Sequence, residues 1–327
     1  MGCMLLAVLL VLLGLGVALV TGNPRLPILQ PAPTATVTPT PTPGCPDCGS
    51  WEAVGQLDAP DLGETSGIVI SRANPGIMWA HNDSGGQAAL YALDLGGHLI
   101  RRFEVSGPVN NDWEDIALGP GPEPGADYVY IGDVGDNLAQ RERVQIIRVA
   151  EPHVDGPGEP AKLDGAATFE LRYPDGAQDA EALVIDPQTA RPYIITKRVS
   201  APRVYRAATD LDADGVTSLE RVVTMAAVGP LVTAADVTAD GLHLALRTYS
   251  TVYQFERPAN SAFESLFTAA ACPIDAYDHG QAEAVAYSPD GGELYTLSEG
   301  EQVPIWHLAC PRAGQPISKL PVPYVER

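Results

Sequence analysis

A β-propeller, an all-β ring of four-stranded blades, is the fold this sequence predicts, and three observations point to it. A short pattern recurs five times at a spacing near 50 residues, turn residues divide each copy into paired apolar runs, and no helical periodicity intervenes. Each copy is a cluster of small residues and acids that leads into an apolar strand, a turn and a second apolar strand with a polar end.

The copies begin Glu64-Thr65-Ser66-Gly67-Ile68, Asp112-Trp113-Glu114-Asp115-Ile116, Asp179-Ala180-Glu181-Ala182-Leu183, Thr233-Ala234-Ala235-Asp236-Val237 and Gln281-Ala282-Glu283-Ala284-Val285. Their second strands are Met78 to Asp83, Tyr128 to Asp133, Tyr193 to Lys197, Leu244 to Arg247 and Leu294 to Glu299. Asn74-Pro75-Gly76, Asp186-Pro187, Asp240-Gly241 and Asp290-Gly291-Gly292 stand between first and second strands, where a tight reversal needs glycine at positive φ or proline at fixed φ. A third strand follows at Ala89 to Leu93, Val144 to Val149, Arg203 to Tyr205, Thr251 to Phe255 and Pro304 to Leu308. A fourth follows at His98 to Val105, Ala167 to Tyr173 and Leu219 to Met225. The last copy has too little chain left for an outer strand, so Trp51 to Leu57 is expected to close the ring by pairing the two ends of the chain, which removes open sheet edges. The count predicted is five blades. Six is the alternative if Gly119 to Pro174 or the C-terminal tail hides another, and a two-sheet sandwich is the competing fold.

Domain organisation reads as 1–22 signal peptide or membrane anchor, 23–50 stalk and 51–327 propeller. Met4 to Val20 is nearly unbroken apolar sequence without the usual basic flank, so export by a cleaved leader and retention as an anchor both stay open. Pro24 to Pro43 is rich in Pro and Thr and cannot bury a core; it reads as an extended spacer from a membrane or cell-surface tether. Of five cysteines, Cys45 and Cys48 are expected to form a small local disulfide and Cys272 and Cys310 are a second possible pair, with Cys3 left alone in the leader. Formal charge is −21, from 41 acids against 20 bases, and no basic patch interrupts it, which excludes nucleic acid as the expected partner.

In a propeller the starts of first strands and the ends of second strands converge on one mouth of the central channel, and here those positions are polar. The ligand-binding set is Ser66, His81, Asp83, Glu114, Asp133, Glu181, Lys197, Arg247, Glu283 and Glu299, with Asp236 as the fourth copy's counterpart of the glutamates. Glu114, Glu181 and Glu283 crowd negative charge at one repeat position, and Asp133 and Asp136 are close in sequence to that mouth. Like charges so placed raise one another's pKa or recruit a cation, and a hard oxygen set suits calcium. The opposing reading is that acids at strand starts brace neighbouring blades through backbone amides. Lys197, Arg198 and Arg247 could neutralise the acids or hold an anionic ligand group.

Asp112-Trp113-Glu114-Asp115-Ile116-Ala117, then Tyr130-Ile131-Gly132-Asp133-Val134-Gly135-Asp136-Asn137 and Arg141, resembles exported bacterial propellers of poorly known function. The Ser66-Gly67, Glu181-Ala182 and Glu283-Ala284 starts are more loosely similar to esterase-like phytase and calcium-dependent lactonase propellers. The resemblance spans roughly Glu64 to Leu308 and implies the fold and a calcium-centred hydrolytic site; the repeated axial asparagines and a catalytic dyad are not found. Asp210, Asp212 and Asp214, before Gly215, have the spacing of a calcium loop, although Glu220 falls one residue short of the position an EF-hand needs. Ser66 has no Gly-x-Ser-x-Gly elbow. Two functional classes result: a tethered module that binds a small molecule, glycan or protein partner through an acidic funnel, and a calcium-dependent hydrolase of phosphate or carboxylic esters.

Overall fold

The structure is a computed structural model that describes residues 45–276 and 282–311; the apolar N-terminal run, the Pro/Thr stalk, Cys3 and Gln281 lie outside them. The sheets are built from meanders. The first holds β2 (Thr65–Ile70), β3 (Ile77–Asn82), β4 (Ala89–Asp94) and β5 (Leu99–Val105); the short β9 (Ala161–Leu163) adds in parallel to β5. Next come β6 (Trp113–Pro120), β7 (Asp127–Asp133), β8 (Val144–Ala150) and β10 (Ala167–Arg172), then β11 (Ala180–Ile185), β12 (Pro192–Thr196), β13 (Arg203–Ala207) and β14 (Val216–Thr224). These two meanders join into one eight-stranded sheet because their outermost strands, β10 and β14, run in the same direction and pair in parallel. The remaining sheets are β15 (Val232–Val237), β16 (His243–Thr248), β17 (Thr251–Glu256), β18 (Cys272–Asp275), and β19 (Ala282–Tyr287), β20 (Glu293–Ser298), β21 (Pro304–Ala309) with β1 (Glu52–Gln56).

β1 lies antiparallel to β21, with Glu52 opposite His307 and Gln56 opposite Pro304. Its continuation is stitched to both sides of the seam, by Leu57 N–H to Val303 O at 2.9 Å and Asp58 N–H to Gly97 O at 2.8 Å. The innermost strands β2, β6, β11, β15 and β19 touch in that order, and β19 returns to β2. The apolar cores lie between successive meanders rather than within any of them. Val69, Trp79, Trp113 and Ile131 fill one such gap, Tyr130, Ile146, Leu183 and Tyr205 the next, and Val184, Tyr193, Leu244 and Phe267 the one after. Ala234, Val285 and Leu294 fill another, and Leu57, Ile68, Ala284 and Ile305 close the circle. Sheets packed face to face around an axis, each burying both faces, define a β-propeller.

The turns follow the expected chemistry. Gly241 and Gly291 hold φ of 68° and 70°, and the preceding Asp240 and Asp290 carboxylates accept the amides of Leu242 and Gly292, each at 3.0 Å. One expectation is corrected. Cys45 bonds Cys272 and Cys48 bonds Cys310, so neither the local Cys45–Cys48 bridge nor a Cys272–Cys310 pair forms. The two cysteines, close in sequence, lie in a segment that crosses the foot of two neighbouring sheets, where Gly49 N–H reaches Ala309 O at 2.8 Å, and each cysteine meets a different sheet.

Candidate functional site

Every innermost strand is interrupted at one place by a β-bulge, and the bulged residue has no cross-strand partner. It is Ser66 in β2, Glu114 in β6, Glu181 in β11, Thr233 in β15 and Glu283 in β19. A bulge re-aims a side chain; five in register make a ring at the mouth. Asp236 does not belong to that ring. It lies three residues deeper, fully enclosed, and its carboxylate accepts Val237 N–H at 2.8 Å and Tyr287 N–H at 2.7 Å, tying β15 to β19. Burial pushes it up to about 7 despite those bonds and the Arg72 charge.

Asp115 braces the opposite way. It occupies the column held elsewhere by Gly67, Ala182, Ala234 and Ala284, and there it accepts Ile116 N–H at 2.9 Å, Leu183 N–H at 2.8 Å and Ala235 N–H at 3.0 Å. One carboxylate thus joins β6, β11 and β15 beneath the bulge ring, so the mouth opens into a floored funnel. Burial holds the Asp115 carboxyl well above the usual carboxylate range. The bracing interpretation of acids at strand starts therefore holds for Asp115 and Asp236.

The glutamates above them do something else. Ser66 Oγ donates to Glu114 Oε2 at 3.2 Å, and among the described residues Glu114 Oε1 accepts nothing. Asp83, just past β3, and Asp112, just before β6, bring carboxylate oxygens to Glu114, so that one from each residue lies within 4.8 Å of the others. A side chain on Gly135 would place its Cβ 2.1 Å from Glu114 Oε1 and 2.5 Å from Asp112 Oδ2. The absent side chain is what leaves room for two carboxylates over that backbone. Burial raises Glu114 well above the carboxylate range, helped by Glu181; burial and Asp83 push Asp112 up to about 6, and burial raises Asp83. Three acids share a space that favours neutrality or a bound cation.

Base is present on the sheets that follow β6 around the ring. Lys197 Nζ donates to Glu181 Oε1 at 2.5 Å and stands 5.1 Å from the Tyr249 ring centroid. Burial alone would lower the Lys197 ammonium, but Glu181 outweighs it and holds the group charged. Arg247 is wholly enclosed; burial lowers it to about 10 against the pull of Glu283, which leaves it a cation at neutral pH. Its Nη2 reaches Ala276 O at 3.4 Å, while Nε and Nη1 donate to nothing among the described residues. Glu299 is raised by burial and by Asp83.

Other sequence candidates sit elsewhere. Asp133 is held by Arg141 Nη2 at 2.7 Å and Asn111 Nδ2 at 2.8 Å, and Asp136 accepts the amides of Gln140 and Arg141, so both staple loops, while the Asp133 charge adds to the rise of Asp112. His81 is fully buried with Nδ1 2.9 Å from Asn82 O, edge-on to Trp113, and burial pushes it down to about 4. In the acidic loop Asp212 accepts its neighbour Asp214 N–H at 3.0 Å; among the described residues, the only group of three metal-competent side chains is Asp83, Asp112 and Glu114.

The fold and site are those of a β-propeller with an acidic, floored funnel. No family model matches the chain, and no curated protein matches it. The resemblance to esterase-like phytase and lactonase propellers therefore finds no counterpart at the level of sequence families. Among solved structures the chain is similar to a luciferin-regenerating enzyme, at 10% identity and a TM-score of 0.44 over 80% of this chain and 95% of that one. It is also similar to Raptor of Chaetomium thermophilum, at 12% identity and 0.43, over 81% of this chain and 29% of that one. A chain of a mitotic checkpoint complex follows at 15% identity and 0.35, over 73% and 60%.

Proposed function

We propose that this chain is a five-bladed, exported and surface-tethered propeller that binds a ligand through its funnel by way of a calcium ion held by Asp83, Asp112 and Glu114. Each bulge marks one blade, which supports the count. Export is supported by Cys45, Cys48, Cys272 and Cys310, all of them in disulfides, bonds that persist in oxidising compartments.

The observation that carries the metal reading is the cluster itself: three carboxylate oxygens within 4.8 Å, none in an ion pair with a described residue, over a glycine that leaves them room. Their donors are oxygen alone, which suits a hard cation with vacant positions for ligand oxygens. Bound there, the ion would supply Lewis acidity and a fixed positive charge. Lys197, paired with Glu181 on the neighbouring β11, and Tyr249 beside it would orient an anionic or polyhydroxylated group next to the acids. Binding is favoured over hydrolysis because His81, the imidazole that could have activated water, is enclosed and neutral.

The test is a panel of glycans and small anions, including phosphate and carboxylic esters, titrated with and without chelator. Chelator-sensitive binding without turnover supports the proposal; chelator-sensitive ester hydrolysis would replace it with the hydrolase. Gly135→Ala should abolish calcium-dependent binding with a far smaller effect on the thermal midpoint, since the atoms nearest its Cβ belong to the Glu114 and Asp112 carboxylates. Unaltered calcium-dependent binding in that variant would move the ion elsewhere.

A further inference from the structure

Among the described residues the three most exposed large apolar side chains are Val199, Leu138 and Val109, at 90%, 76% and 67%. All three stand on loops of the mouth: Val109 between β5 and β6, Leu138 between β7 and β8, and Val199 between β12 and β13. The next most exposed, Leu99 and Val216 at 36%, lie on the outer strands β5 and β14. A single exposed apolar side chain is ordinary, but three gathered on one rim call for an occupant.

The three loops are stitched to one another. Gly135 N–H reaches Asp112 O at 3.3 Å and joins the first two; Asp136 N–H to Asp179 Oδ1 at 3.0 Å and Lys197 N–H to Asp179 O at 3.1 Å join the second to the third. Leu138 sits on a built turn, since Ala139 N–H bonds Asp136 O at 2.7 Å and the Asp136 carboxylate accepts the two amides that follow. Val109 precedes Asp112 by three residues and Leu138 follows Gly135 by three, so two of the tips border the carboxylate cluster itself.

Charge sets these segments apart from the rest of the chain. Residues 106–111, 137–141 and 197–203 hold Arg141, Lys197, Arg198 and Arg203 and no acid, in a chain of 41 acids against 20 bases. Arg141, Lys197 and Arg203 are paired with Asp133, Glu181 and Asp175. Arg198, next to Val199, donates Nη1 to the neutral Gln178 Oε1 at 2.9 Å and stands in no ion pair with a described residue.

Resting on the calcium site proposed above, we infer that the mouth docks on an anionic phospholipid surface, with Val109, Leu138 and Val199 in the headgroup layer, Arg198 on lipid phosphate, and phosphate oxygens in the vacant positions of the ion. Separate tips favour lipid over a protein partner, because a fluid surface accepts apolar side chains at any spacing, whereas a protein interface needs a contiguous complementary patch. Without the ion, Asp83, Asp112 and Glu114 repel the same surface, so docking requires calcium.

Full-length wild type and Leu138→Trp, titrated with vesicles of equal parts phosphatidylcholine and phosphatidylglycerol whose acyl chains carry bromine, test this, because bromine quenches an indole that it touches. Calcium should quench the introduced indole beyond the wild-type tryptophans, and chelator should remove the effect. The difference reports contact at position 138 alone, whatever else of the chain meets lipid. Adding Val109→Ser and Val199→Ser should move the vesicle midpoint to about tenfold more lipid or higher, the loss expected for apolar side chains no longer buried, with the calcium heat in a calorimeter unchanged. Calcium heat without quenching at position 138, or an unmoved vesicle midpoint in the serine variants, would overturn lipid docking and leave the cation site standing; no calcium heat would overturn both.

Discussion

Acids in adjacent positions of one short segment have opposite tasks. Glu114 is aimed by a bulge toward Asp83 and Asp112 at the mouth, while Asp115 turns beneath it and accepts three amides from three inner strands. Truncating Asp115 to alanine leaves buried N–H groups of β11 and β15 without acceptors, each worth about 1–3 kcal/mol, so denaturant unfolding should show a loss of several kcal/mol. Asp236 carries a pH signature. Its folded pKa of about 7 exceeds the ordinary carboxylate value, so the unfolded chain releases this proton first, and the contribution of Asp236 falls as pH rises from about 4 to about 7. Stability measured across that interval, wild type against Asp236→Asn, should show the wild type losing ground steadily; parallel curves would show that Asp236 titrates normally. Glu114, Glu181 and Glu283 were legible in the sequence because an acid marks their column. Thr233 was not, since aligning copies by acids selects Asp236 instead. Asp115 could have been found as the lone acid in a column of glycine and alanine.

At the level of strands, apolar runs located the first three strands of every copy, with Asp-Gly, Asp-Pro and Pro-Gly turns marking the first reversal in four of them, because each inner strand is buried on both faces. β18 was missed: it is four residues long, contains Pro273, and follows a 3-10 helix at Phe263–Thr268 that no periodicity announces. β9, three residues pairing outside β5, carries no signal of its own. Cysteine connectivity was illegible because sequence spacing does not report which sheets a segment crosses. β1 is the strand on which closure depends. Deleting residues 51–57 exposes the edge of β21 and should give aggregation or a large fall in thermal midpoint; unchanged solubility and midpoint would deny the seam its role. Reduction acts on the same seam. The bridges span 227 and 262 residues, and loss of each should cost about 2–5 kcal/mol, read as a lower denaturation midpoint in reducing agent.

Across the whole molecule, a ring of sheets that bury both faces leaves few places for polar groups except the two ends of the axis, and this chain uses the ends differently. One end is an acidic funnel floored by Asp115; at the other, away from the axis, a mixed cavity opens beside the outer strands and the disulfides. A formal charge of −21 spread over the chain identified neither, because net charge says nothing of which acids converge. Convergence comes from the bulges, and bulge register is a property of paired strands rather than of one strand's sequence. The central claim, a cation site over Gly135, is most directly tested by titrating the protein with calcium in a calorimeter. The account predicts one-to-one binding at or below about millimolar calcium, the range of extracellular sites, lost in Asp112→Asn, with an ion between Asp83, Asp112 and Glu114 in crystals grown with calcium. No heat at millimolar calcium and no ion at those carboxylates would contradict it.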